Sequence, residues 1–341
     1  MEKIKVLSIM HLDQFKECMN GNMPSQKMWG LYEMSQKKDI DLKILPFGCS
    51  MFSIIKEIRL FKPVVVYLPF FDSKKFFLAF LLKLLHIFNF KVFALCHFTI
   101  IPKSILGKLY WGIFYKAMDR MLFFSPKSLN DCVESGLMSK GQCEVIHWGM
   151  DLAWLREHSK VSYGEEFVST GKENRDFRTL LKGFKGRCEK LIVFTKKENQ
   201  GADYHYLEHS NVTSNIKILY PTEKNSFLQA LKLSSSCKAY VIPLIKERID
   251  YCVGHTSIVE AIALHKMVLS TYNPYYPINI EQEGIGYFVE ANSPESWKAA
   301  LDKGIVYTDR VEDKFEKLSQ TYNIENYAQE IYDVILILAK S

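Results

Sequence analysis

The sequence predicts an α/β protein made of two doubly wound halves, each a parallel sheet flanked by helices. Three observations carry this. Runs such as Pro63-Val64-Val65-Val66-Tyr67-Leu68 lack polar alternation, so helices are expected to cover them on both faces. Helical patterns separate these runs, as parallel pairing requires. The alternation stops in a charged stretch at 156–166 and then restarts, and 341 residues are long for a single core.

Taken in order, residues 1–10 read as the first strand. Residues 11–26, with Gly21, Asn22, Pro24 and Ser25, read as a loop, followed by a helical pattern through Trp29, Leu31, Tyr32 and Met34. Strands are expected at 41–46, 63–68, 90–95, 120–124 and 143–147, with helices near 52–61, 74–87, 106–118 and 128–134. The second half begins with a strand at 166–170, a turn at 171–175 and a helix at 177–184. Strands at 190–194, 216–219 and 239–244 follow, then a Gly-bearing turn, a helix over 258–264 and a strand at 267–271. The expected domains are 1–155 and 156–323, with the last helix, 324–341, packing back on the first. Ligands in such folds sit beyond the carboxyl ends of the strands, here in a cleft between the halves.

Composition narrows the function. Lys plus Arg number 44 against 38 Asp plus Glu, an excess far below that of a nucleic-acid-binding chain, so no nucleic acid is expected as a partner. Eight cysteines without a Cys-x-x-Cys spacing suggest reduced thiols of a cytosolic protein rather than a zinc or dithiol motif. The N-terminal apolar run is too short for a signal peptide. The stretch 76–90 is broken by Lys83 and His86 and falls short of the roughly 20 residues that span a bilayer. No Gly-x-Gly-x-x-Gly follows the first strand and no Gly-x-x-x-x-Gly-Lys-Ser/Thr occurs, which argues against a dinucleotide-dependent dehydrogenase and a P-loop NTPase. No metal-ligand spacing is present, and no cofactor is expected.

The chemistry concentrates in the second half. Gly254-His255-Thr256-Ser257 lies between a strand and an apolar helix, where free amide N–H groups and the helix dipole stabilise an anionic diphosphate. Glu260, within the first turns of that helix, can accept hydrogen bonds from ribose hydroxyls. Together they point to a nucleotide, and further to a nucleotide sugar. Gly171-Lys172-Glu173-Asn174-Arg175 also joins a strand to a helix, and its Lys172 and Arg175 would stabilise a leaving diphosphate. The structural alternative is a solvated loop whose charges pair with Glu173 and Asp176. His255 suits either a phosphate oxygen or its own helix cap. His97 ends a strand of the first half, where it would face the cleft or simply bond a neighbouring backbone group. The basic, apolar run at 74–85 suits a membrane interface or a core helix. Lys103, Lys108, Lys116 and Arg120 lie nearby.

With these residues in place, the chain resembles the retaining GT-B glycosyltransferases of the large group 1 (glycosyltransferase family 4-like) superfamily, whose architecture is two Rossmann-like doubly wound domains facing a cleft. The resemblance rests on Thr170-Gly171-Lys172 with Arg175-Asp176 and Thr179-Leu180-Leu181, and on Gly254-His255-Thr256-Ser257 leading to Glu260-Ala261 and 267–271. Trp148-Gly149-Met150-Asp151 and Leu95-Cys96-His97 complete it. It implies that Lys172 and Arg175 bind the donor diphosphate, that Gly171 and the turn Gly254, His255, Thr256 and Ser257 line its site, and that Glu260 holds the ribose. It also implies that His97 contacts the transferred sugar, that Gly21 and Asn22 approach phosphate or acceptor, and that no metal is used. The sequence departs from the family at Cys252, where a first glutamate often stands eight positions before Glu260.

The expected activity is transfer of a sugar from a UDP- or GDP-sugar to a saccharide or polyprenol-linked acceptor. It is expected in the cytoplasm, with peripheral membrane contact through 74–91 and nearby lysines at the inner face of the membrane. Two alternatives remain. A nucleotide-sugar 2-epimerase would need cleft carboxylates, for which Asp13, Asp72 and Asp151 are the candidates. A non-catalytic transferase subunit would account for Cys252.

Overall fold

The computed structural model describes residues 3–70, 73–199, 202–210, 212–222 and 226–341. Asp72, one of the epimerase candidates, lies outside the described residues. The chain divides into two compact units, one of residues 1–151 with 323–341, the other of residues 152–322.

The first unit runs β1 (Ile4–Met10), α1 (Leu12–Met19), α2 (Leu31–Ser35), β2 (Ile40–Pro46), α3 (Met51–Phe61) and β3 (Val65–Leu68). It continues with α4 (Ser73–Leu84), β4 (Lys91–Cys96), α5 (Ile105–Ala117), β5 (Arg120–Phe123), α6 (Pro126–Glu134) and β6 (Cys143–Val145). The strands form one parallel sheet in the order β2-β1-β3-β4-β5-β6. Its centre has no wet face. Val65–Leu68 is wholly buried, and its Val66 and Leu68 share one core with Ile54 and Ile58 of α3, Phe76, Ala79 and Phe80 of α4, and Phe114 and Tyr115 of α5.

Residues 11–26 depart from the expected loop, since α1 occupies 12–19. Its turns close on few apolar side chains and only Cys18 is buried, so the periodicity that marks a helix is faint. Gly21 and Asn22 therefore end this helix rather than follow the first strand. Gly21, at φ +74°, donates to the Cys18 carbonyl at 2.9 Å, and the Asn22 amide to that of Glu17 at 2.9 Å.

The second unit runs α7 (Leu152–His158), β7 (Glu166–Ser169), α8 (Phe177–Phe184), β8 (Lys190–Phe194), the short hairpin β9 (Glu198–Asn199) and β10 (Ala202–Asp203), and β11 (Ile216–Leu219). Then come α9 (Ser226–Ser235), β12 (Ala239–Ile242), α10 (His255–Ala263), β13 (Met267–Thr271), β14 (Gly286–Val289), α11 (Pro294–Asp302) and α12 (Asp309–Thr321). Its parallel sheet has the order β11-β8-β7-β12-β13-β14. Counted along the chain without the hairpin, this is the 3-2-1-4-5-6 winding, whose direction reverses between β7 and β12. Residues 156–158, where the sequence suggested the linker begins, are instead the end of α7, a helix whose Trp154 and Leu155 are buried. The strand β14 was not legible beforehand. It is four residues long and opens with Gly286, where a Cβ would strike the Val268 backbone.

The terminal helix α13 (Ile324–Lys340) belongs to the first unit. The Ile324 amide donates to the Met150 carbonyl at 2.9 Å, and a Cβ on Gly149 would overlap the Asn323 backbone. The glycine of Trp148-Gly149-Met150-Asp151 is thus explained by close chain approach. Glu330 completes the attachment by accepting from the His147 amide at 3.0 Å. Among the described residues no helix is long and apolar enough to cross a membrane.

Candidate functional site

The strongest candidate lies where the second sheet reverses its winding. β7 and β12 pair in parallel, Phe167 with Ala239 and Val168 with Tyr240, so the loops leaving them emerge at the same carboxyl edge. The first loop carries Arg175 and the second ends at α10. Adjacent parallel strands whose helices leave to opposite faces open a crevice at this place.

The loop after β7 is held tightly. Asn174 takes a left-handed φ of +51°, its carbonyl accepts from the Ile245 amide at 3.0 Å, and Arg175 makes an antiparallel bridge to Leu244. The Asp176 carboxylate then caps α8 by accepting from the Thr179 amide at 3.1 Å. Pinned so, the Arg175 side chain turns inward and is only 5% exposed. Its Nη1 donates to the Glu173 carbonyl at 2.7 Å, and its Nη2 to Ser257 Oγ at 3.3 Å, across 82 residues of sequence.

Ser257 sits in the first turn of α10, which begins without a side-chain cap. Gly254, at φ +91°, stands at the cap position. The Ser257 and Ile258 amides turn back to the Gly254 carbonyl at 3.1 and 3.2 Å, and the His255 amide reaches the Cys252 carbonyl at 3.0 Å. Among the described residues the Gly254 and Thr256 amides meet no protein acceptor. A guanidinium and an open helix start therefore share one small volume.

Electrostatics sharpens the point. Burial lowers the Arg175 pKa, against the opposing pull of Tyr276, Tyr204, Glu173 and Tyr251. Among the described residues no carboxylate forms an ion pair with Arg175, and its Nε has no acceptor. Tyr276, pushed up to about 12 chiefly by burial, and Tyr204, also raised by burial, stay neutral around it. A buried cation without a counter-ion costs several kcal/mol, on the order of the penalty for breaking a buried ion pair. An anion in the crevice would offset that cost.

The other residues singled out in the sequence fall as follows. Gly171 touches the site directly, since the Arg175 guanidinium fills the space its Cβ would take. Lys172 is exposed on the same loop, Thr256 is exposed on the first turn of α10, and Glu260 is half-buried on the second. His255 is buried with its ring 5.9 Å from Tyr322. Cys252 is half-buried, and burial pushes its thiol up to about 12, so it is neutral. His97, Gly21 and Asn22 belong to the first unit. The His97 Nε2 lies 2.9 Å from the Pro69 carbonyl, and its ring meets Trp29 edge-on at 4.7 Å and Phe70 in a stack at 5.7 Å.

Sequence reasoning missed the brace of the site. Asn273 is 2% exposed, and its Nδ2 donates to the Tyr251 and Val253 carbonyls at 2.9 and 3.1 Å. Its Oδ1 accepts from the Tyr275 amide at 2.8 Å. Asn273 so holds the turn that delivers Gly254 to α10. The Asn-Pro pair after β13 was the available signal, a turn mark whose reach back to 251–253 only folding reveals.

No family model matches the chain, and comparison with curated proteins gives no match. Solved structures do match over nearly its full length. A glycosyltransferase from Rickettsia africae superposes with a TM-score of 0.74 at 12% identity, covering 100% of both chains. HepE of Anabaena, solved with UDP and glucose, gives 0.68 at 11% identity, covering 97% of this chain and 99% of that one. The UDP-GlcNAc 2-epimerase of Neisseria meningitidis, bound to UDP-GlcNAc, gives 0.57 at 13% identity, covering 97% and 99%. The chain has the GT-B fold, with two Rossmann-like domains.

Proposed function

We propose that the protein is a glycosyltransferase that uses a nucleotide-sugar donor and binds the donor diphosphate between Arg175 and the start of α10. The observation that carries this is the buried Arg175 guanidinium, hydrogen-bonded to Ser257 and, among the described residues, lacking a carboxylate partner and an acceptor for Nε. A diphosphate supplies the missing charge and acceptors at once. As the glycosidic bond to the diphosphate breaks, negative charge grows on the leaving oxygens. Arg175, the Gly254 and Thr256 amides and the α10 dipole stabilise it more than the ground state, and that difference lowers the barrier. Lys172 adds a second cation, Ser257 orients Arg175, and Glu260 accepts from the ribose hydroxyls. His97 faces the transferred sugar, and Gly21 with Asn22 contributes to the acceptor side.

The finer reading places the chain among the retaining, group 1 transferases. It transfers a hexose from UDP or GDP to a saccharide or polyprenol-linked hydroxyl, without a metal, in bacterial surface polysaccharide or glycoconjugate synthesis. It works in the cytoplasm, at the inner face of the membrane. The UDP-glucose complex of HepE supports UDP as the first nucleotide to test. Thermal shift and calorimetry with UDP, GDP and their sugars test the site, because a ligand that binds only the folded chain raises its melting temperature. Binding of neither nucleotide would remove the proposal and favour a non-catalytic subunit.

The fold shared with a 2-epimerase supports a second reading. Asp151 accepts from the Ser25 amide at 3.1 Å and Asp13 is exposed on α1. Incubation with UDP-GlcNAc and no acceptor separates the two, since an epimerised nucleotide sugar requires the second.

A further inference from the structure

The start of α5 presents apolar side chains to solvent where a helix of a doubly wound domain ordinarily shows polar ones. Ile105 is 86% exposed, Leu106 79%, Leu109 66%, and Ile101 in the preceding loop 52%. Spacings of three and four residues put Leu106 and Ile105 beside Leu109 on one face. Fraying does not account for this exposure. The Ser104 hydroxyl accepts from the Gly107 amide at 3.0 Å, a formed N-cap, and the opposite face buries Phe114 and Tyr115.

Along this stretch of the chain the charge is of one sign. Residues 73–118 hold seven lysines and no aspartate or glutamate. Lys83 bonds Asp119 at 2.5 Å and Lys91 lies 3.9 Å from it, so these two are neutralised locally. Lys103 and Lys108 are exposed at the apolar patch. Lys74 is exposed at the head of α4, whose Phe77 stacks on Tyr110 of α5 at 5.0 Å and so aligns the starts of the two helices. The first turn of α5 holds no acid, although the helix dipole favours one there. Apolar residues flanked by lysines at a positive helix end match the boundary of an anionic bilayer. A second copy of the chain fits poorly, since a two-fold contact would bring together two copies of the same lysine-bearing patch, like charge to like charge.

We infer that Ile101, Ile105, Leu106 and Leu109 insert into the surface of an anionic membrane while Lys103, Lys108 and Lys74 bind its headgroups. This moves the apolar part of the membrane contact from the 74–91 stretch, whose helix spends Phe76, Ala79 and Phe80 on the core, to the start of α5, and keeps only Lys74 of that stretch at the headgroups. The patch follows directly from β4 and therefore lies at the carboxyl edge of the first sheet, as does His97. A lipid-linked acceptor would thus be met at the edge where it must react. The inference goes beyond the transferase reading, because membrane binding is measured without donor or acceptor.

Flotation of the full chain with phosphatidylcholine vesicles, with and without phosphatidylglycerol, tests it. Binding is expected to the anionic vesicles and to weaken with salt. Ile105→Ser with Leu109→Ser is expected to lower partition at least about tenfold. Lys103→Gln with Lys108→Gln is expected to lower it about fivefold per lysine on anionic vesicles alone. Melting temperatures matching the wild type confirm that both variants fold, and these sites are exposed enough for that outcome. Failure of the wild type to float, or variants that float like it, would overturn the inference. So would a concentration-dependent dimer dissolved by the Ser variants, which would assign the patch to a second copy.

Discussion

The Arg175 guanidinium occupies the space that a side chain at Gly171 would need. One residue at the end of β7 must be bare so that another, four positions on, can fold back and reach Ser257. The glycine is therefore a condition for the cation's position rather than a turn requirement, since its backbone is not among those with positive φ. Arg175 in turn costs stability in the ligand-free chain, since it is buried as a cation with Nε unsatisfied among the described residues.

Replacing Arg175 with Ala is expected to lower transfer by about 10²–10³, the scale for losing one preorganised donor to a developing charge. The ligand-free melting temperature should hold or rise, because an unpaired buried cation is removed. Arg175→Lys should restore little, since an ammonium cannot span Glu173, Ser257 and a phosphate as a planar fork does. Near-normal turnover of Arg175→Ala would end the diphosphate assignment.

The two glycines of the site separate steric from conformational effects. Gly171→Ala pushes only the flexible end of Arg175, so stability should change by less than about 1 kcal/mol while the donor KM rises tenfold or more. Gly254→Ala meets both a φ of +91° and the Tyr276 hydroxyl at 2.5 Å, and should cost about 1–3 kcal/mol besides weakening nucleotide binding. Urea titration beside calorimetry with UDP distinguishes them, and equal stability losses would contradict the geometry.

Asn273 offers a test of the brace. Its removal leaves two carbonyls and one amide without their buried partner, so Asn273→Ala should lose on the order of 3 kcal/mol. Asn273→Asp should be worse at neutral pH, because a carboxylate would face the Tyr251 and Val253 carbonyls, and should approach the Ala variant as acid protonates it. Denaturation midpoints at acid and neutral pH decide this, and an Asp variant as stable as the wild type would refute the hydrogen-bond assignment.

Glu33 sets a pH dependence for the first unit. Burial raises its carboxyl to about 7, aided by the charges of Asp151 and Glu325 and opposed by the Ser25 hydrogen bond. The unfolded value is near 4.3, so the folded state holds the proton more tightly, and stability falls as pH rises from about 4.3 through about 7. The loss is on the order of 3 kcal/mol. Glu33→Gln should flatten urea midpoints across that window and be the more stable protein at pH about 8, where Glu33 is charged. Parallel pH curves for the two proteins would show that the carboxyl is not buried as described.

The alternation of strand and helix, the double winding and the two loops of the candidate site were legible from the sequence, because each is local. A β-branched run buried on both faces and a glycine ahead of an apolar helix are written within about ten residues. Asp176 capping α8 and Gly254 at φ +91° leave similar local marks. The α1 helix escaped because its single buried residue gives no period, and β14 because four residues opening with glycine look like a turn. Only tertiary structure decided that β7 lies beside β12, and with that pairing Arg175 meets Ser257, Asn273 reaches the 251–253 turn and Tyr276 closes over Gly254. Local patterns record which face of an element is apolar. Strand order is chosen by the packing of the whole sheet, and no single segment carries that information.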